Sequence, residues 1–246
     1  MCLKKNKISY IHFNFTPNQD KATPSLIGDV PRGVMLNQRP IFLGGQGGMV
    51  GPARLGFGVT VAAGTILRKD ELRPDRLIFG GAGKGGNVAF RPGRYSGAGR
   101  IIKNNMVYIA NLLALRQWYR EVRLLFVGEK FPEEMLQGLL GNIDLALEER
   151  QRRLRELAER LAEAGDKRLY ESWRAVEENL ISQRENAGER RLRNSFLQIA
   201  ASAISRAGKH YITAIQALSP EEAGQGTAWL QGIVDEAVAA ALKPLE

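Results

Sequence analysis

The chain has 246 residues, 44% of them apolar, which is enough for one large domain or two small ones with a real core. Its net charge of +9 is uneven: residues 1–100 hold 15 Lys and Arg against 5 Asp and Glu, and residues 101–246 hold 20 against 21. One cysteine, Cys2, excludes an internal disulfide and a cysteine-rich metal site, and no apolar run is long enough to cross a bilayer, so a soluble cytoplasmic protein without a metal is expected.

The basic first residues lead into Ser9, His12, Asn14 and Pro17 and not into the apolar core of a signal peptide. Beyond them an apolar residue recurs every six positions, at Leu43, Met49, Leu55, Val61 and Leu67. A helix needs intervals of three and four and a half-buried strand an interval of two, so a period of six fits neither. The fifth residue of each hexad is small or β-branched: Gly47, Ala53, Val59, Thr65. This pattern predicts a parallel β-helix of hexapeptide repeats over residues 1–79, ending at the turn-like Leu72-Arg73-Pro74-Asp75.

Residues 80–100 follow as a Gly-rich linker. The pair Gly83-Lys84 does not make a phosphate-binding loop, because Ile78 stands where the leading glycine belongs and Gly85 where Ser or Thr should follow. Residues 101–246 then read as an α-helical domain. Met106, Ile109, Leu112, Leu113 and Leu124 suit one long helix ended by Gly128 and Pro132. Leu147, Leu154, Leu157 and Leu161 form a narrow stripe beside the charge pairs Glu149–Arg153, Arg152–Glu156 and Glu156–Arg160, which predicts an exposed hairpin or coiled-coil arm. Phe196, Ile199, Ala200, Ala203, Ile204 and Ala207 continue the helical period up to Gly208, and Ser219-Pro220-Glu221-Glu222 opens a last helix. His210 and the tryptophans Trp118, Trp173 and Trp229 read as packing or interface residues, not ligands.

The basic first part attracts phosphate-bearing ligands, or it is a solvated surface kept for solubility; both readings stand. Nucleic acid is not expected, because Lys4, Lys21, Arg32, Arg39, Arg54 and Arg68 are dispersed and no aromatic residues are interleaved among them.

The stretch from His12 to Asp70 resembles the C-terminal hexapeptide domain of the bacterial bifunctional enzymes that acetylate glucosamine 1-phosphate and uridylate the product to UDP-N-acetylglucosamine. The resemblance is carried by Asn14-Phe15, Lys21, Ser25-Leu26-Ile27-Gly28-Asp29, and the hexads from Leu55 to Ile66 closing on Arg68-Lys69-Asp70. It implies a left-handed β-helix that forms a homotrimer, with acetyl-coenzyme A as co-substrate in the groove between subunits. It also implies that Asn14 and Lys21 hold the amino-sugar phosphate and that Ala62, Ala63 and Gly64 let the coenzyme approach the backbone. In the family a histidine within a His-Leu-Ser/Thr-Tyr run is the general base. Here that run is Lys7-Ile8-Ser9-Tyr10, which leaves His12 as the candidate catalytic base.

Each of these residues has a plainer reading: Asn14 as a rung between coils, Lys21 as a solvated charge, His12 as a surface imidazole. Thr16-Pro17 replaces the family's Asp-Gly, an extra segment around Val34–Phe42 interrupts the hexads, and no nucleotidyltransferase domain precedes them, so the chain reads as the C-terminal portion of a longer protein or as one relying on trimerisation. Two functions are therefore expected. One is a transferase-type module of a UDP-N-acetylglucosamine pyrophosphorylase-like protein; the other is a non-catalytic trimerising scaffold whose helical region binds a protein partner or an attached catalytic domain.

Overall fold

Helix dominates this computed structural model, which describes residues 25–80 and 97–246: eight α-helices stand against seven strands of two residues each. The expected fold class, a left-handed parallel β-helix followed by a helical region, is thereby overturned. The strands are β1 Leu26–Ile27, β2 Phe42–Leu43, β3 Gly48–Met49, β4 Arg54–Leu55, β5 Thr60–Val61, β6 Ile66–Leu67 and β7 Leu77–Ile78. They pair in parallel as two sheets of two strands and one of three, and no β-helix is evident among the described residues.

The hexads still set local register, since Phe42 pairs with Thr60 and Gly48 with Ile66, each three hexads on. Leu26 pairs with Arg54 and Thr60 with Leu77 at other spacings, so the step is not kept. Repeat stacks draw their stability from coil upon coil. Here pairing stops after two or three strands, and the period-six side chains bury only a small core of Met49, Ala53, Leu55, Val59, Val61 and Leu67. On the outer face of the three-stranded sheet Phe42 and Leu77 stay exposed, one on each side of Thr60.

The main core is helical. It is built from α1 Val30–Gly33, α2 Ala98–Gln117, α3 Glu133–Glu163, α4 Arg168–Glu171, α5 Trp173–Ser182, α6 Arg190–Ala207, α7 Tyr211–Gln216 and α8 Pro220–Leu242. Helices α2 and α8 form its axis, and α1, α3, α5 and α6 pack around them. Trp118, Phe196 and Trp229 stack in a tilted row through it, with ring centroids 5.8 and 6.2 Å apart. Met35, just past α1, is fully buried in the same core, so the strand-bearing segment is anchored in the helices. At Gly226 an added Cβ would lie 2.5 Å from the Phe196 ring and 2.6 Å from the Met35 Cε, so only glycine lets α8 approach this closely.

Two helical expectations change. The α-helix of α2 stops at Gln117, and the chain widens into a π-helical turn, Trp118–Val122, then tightens into a 3-10 turn, Arg123–Phe126, which leaves Leu124 half exposed. The stripe on α3 is not an exposed arm, because Leu147, Leu154, Leu157 and Leu161 are buried against neighbouring helices. Only the opposite face is solvated, where Arg153 bonds Glu149 at 2.9 Å and Arg152 bonds Glu156 at 2.6 Å. Among the described residues no helix is long and apolar enough to cross a membrane.

Candidate ligand-binding cleft

A cleft of about 590 Å³ opens where the strands meet α1, α2 and α8. Local chemistry builds its first wall. Asp29 caps α1 by accepting from the Arg32 backbone N–H at 3.0 Å, and Pro31 in the first turn suits a helix start. Gly28 precedes the cap with φ +79°, and an added Cβ there would lie 2.7 Å from the Phe57 ring. Glycine therefore both makes the turn and lets the Phe57 ring lie against the backbone beside the cleft. The buried Asn111 of α2 ties this wall to the helices, its Oδ1 accepting from the Val30 N–H at 2.8 Å and its Nδ2 donating to the Val107 carbonyl.

The second wall is Arg54 on β4. Its backbone N–H and its Nε both donate to Asp70, at 3.1 and 3.0 Å, so one carboxylate grips the residue twice. Asp70 also accepts from Asn104 Nδ2 at 3.1 Å and lies 3.6 Å from Arg100 Nη1, both on α2. Arg100 and Asn104 donate further to the Pro52 carbonyl, at 2.7 and 3.1 Å. The Arg54 and Asp70 side chains are only 19% and 16% exposed, so their pairing is poorly screened. Two guanidinium groups share one carboxylate here, which leaves a net positive charge beside the cleft. The Nη atoms of Arg54 have no hydrogen-bond partner among the described residues, although the residue lines the cavity.

The third wall is α8. Gln231 Nε2 donates to Asp235 Oδ1 at 2.8 Å, and Gln231 Oε1 lies 3.5 Å from Arg32 Nη1. Arg32 in turn pairs with Asp29 at 2.8 Å. The cleft thus holds charges of both signs above an apolar floor that includes Leu55, Val107 and Val234. Such a mixed lining suits a small polar ligand carrying a charge.

No family model, curated protein or solved structure matches this chain. The cleft is therefore read from its own geometry.

The residues named from the sequence fall elsewhere. His12, Asn14 and Lys21 lie outside the described residues, as does Gly83-Lys84. Ala62, Ala63 and Gly64 form the turn between β5 and β6, where Gly64 has φ +73° and its N–H donates to Gly45 at 2.9 Å; they do not line the cleft. Sequence reading passed over Arg32 and Arg54 as dispersed surface charges, took Asp70 only as the end of a motif, and missed Asn104, Asn111 and Asp235. A signal for two of these was present: Asn104 and Asn111 fall among Ile101, Ile102, Met106, Val107, Leu112 and Leu113, and buried amides must be hydrogen-bonded.

Proposed function

We propose that the chain is a sugar-phosphate-binding module of a UDP-N-acetylglucosamine pyrophosphorylase-like cytoplasmic protein, taking an amino-sugar phosphate in the cleft between the strands and α1, α2 and α8. The observation that carries this reading is Arg54: its Nε is held by Asp70 while both Nη groups remain without a partner at the cavity wall. A guanidinium fixed at one edge and open at the other is prepared for a phosphate, which it binds by paired charge-assisted hydrogen bonds. The residual charge of the Arg54–Asp70–Arg100 group adds attraction for an anion, and the Phe57 ring offers a flat apolar surface for a sugar.

In this reading acetyl-coenzyme A is the co-substrate, although Ala62, Ala63 and Gly64, which the resemblance assigns to it, lie outside the cleft. Calorimetric titration with glucosamine 1-phosphate tests the binding step. Wild-type protein is expected to bind saturably, and Arg54→Met to bind about ten- to a hundredfold more weakly, the range for losing hydrogen bonds to a charged group. Equal affinity in the two proteins, or no binding by a folded wild type, would sink the proposal.

A further inference from the structure

We infer that Asp235 on α8 recognises a positively charged amino group on the ligand, so that the cleft selects the free amine over a sugar phosphate that lacks one. This rests on the sugar-phosphate reading above and goes beyond it by naming the group that discriminates. Two acidic residues line the cleft, and they are not equivalent. Asp29 is fully engaged, with Oδ1 accepting from the Arg32 N–H and Oδ2 from Arg32 Nη1. Asp235 accepts only at Oδ1, from Gln231, and its Oδ2 has no hydrogen-bond partner among the described residues. No Lys or Arg of the described residues forms an ion pair with it.

Arg54 shows the same incompleteness with the opposite sign, since its outer nitrogens are open while its inner one is held. Both residues border one cavity, Arg54 on the strand wall and Asp235 on the helical wall. A ligand carrying only a phosphate satisfies the first and leaves the second unused. A zwitterion, phosphate at one end and ammonium at the other, satisfies both. Gln231, which also lines the cleft, holds one oxygen of Asp235 with its amide N–H and leaves the other free to accept. The chemistry that follows is discrimination by charge: N-acylation removes the positive charge, and the acylated sugar then gains nothing from Asp235.

The experiment is a comparison of glucosamine 1-phosphate with glucose 1-phosphate, by calorimetry, on wild type and Asp235→Asn. Wild type is expected to prefer the amine by about fivefold, the scale of a solvent-exposed ion pair. In Asp235→Asn the preference should vanish, so that the two sugar phosphates bind alike. Because Asp235 is exposed and bonds only Gln231, the variant should unfold at the wild-type temperature, which separates loss of recognition from loss of fold. Binding of both sugars by wild type without preference, or an equal loss for both in the variant, overturns the role of Asp235 and leaves the sugar-phosphate reading intact. Failure of wild type to bind either sugar overturns that reading and this assignment together.

Discussion

Arg123 sits between two aromatic rings, its guanidinium 3.9 Å from the centroid of Tyr211 and 4.1 Å from that of Phe131. Its Nε is buried without a hydrogen-bond partner, so the ring faces are what compensate the charge there. Tyr211 is held in turn: its hydroxyl accepts from Trp118 Nε1 at 3.1 Å, and Phe126 meets its ring edge-on at 5.2 Å. Burial raises the Tyr211 phenol above its ordinary value, and the Trp118 hydrogen bond and the Arg123 charge pull it part of the way back. Arg123→Met keeps the length of the side chain and removes the cation. It should lower stability by about 1–2 kcal/mol in urea denaturation. Arg123→Lys should not restore the loss, because an ammonium cannot lie flat against two rings. A midpoint unchanged in both variants would show that the stacking contributes nothing.

At the scale of the element, the start of α8 shows how local chemistry makes a boundary. Ser219 accepts from the Glu222 N–H at 3.2 Å, and Glu222 Oε2 accepts from the Ser219 N–H at 2.8 Å, a closed capping box. The Ser219 N–H holds the Glu222 carboxyl below its usual 4.5 against the opposing effect of burial, with smaller help from Arg206. A carboxyl whose pKa is lower in the folded than in the unfolded chain contributes stability that is complete above the unfolded value and is lost as pH falls through the folded one. Glu222→Ala should therefore cost about 1 kcal/mol at neutral pH, and the gap from wild type should close below pH 4.5. A gap constant down to pH 3 would mean that the carboxylate is not its source.

This helix start was legible in four consecutive residues because both partners of the cap lie within them. The burial of α3 was not, because a Leu stripe with charges beside it is the same sequence whether the stripe meets a partner helix of its own bundle or projects as an arm. The separation of β2 from β5 and of β3 from β6 is a multiple of the hexad, yet periodicity says nothing of how many strands stack, and pairing stops after two or three. The cleft was least legible of all: Arg54, Asp70, Asn104 and Asp235 are brought together by tertiary packing alone.

For the whole molecule, the question is what joins the small strand core to the large helical one. Met35 and α1 are one link, through apolar burial against α8. Asp70 is another, a single carboxylate that binds Arg54 on the strand side and Asn104 and Arg100 on α2, beside the bonds those two α2 residues make to the Pro52 carbonyl. Removing it deprives Arg54 and Arg100 of the carboxylate they share, in a site under one-fifth exposed on the strand side, a change that costs about 3–5 kcal/mol where the pair is fully buried and less here. The loss should fall unevenly. The strand core is small and has few other contacts to the helices, whereas α2 and α8 keep each other and their remaining neighbours. Asp70→Ala should accordingly speed hydrogen exchange of the backbone N–H groups of Phe42, Thr60 and Ala62, which bond within the strand pairs, while those inside α2 and α8 stay protected. Faster exchange spread evenly over strands and helices would instead show one cooperative unit in which Asp70 is an ordinary stabilising contact. Unchanged exchange throughout would assign the junction to α1, Met35 and the Pro52 carbonyl contacts.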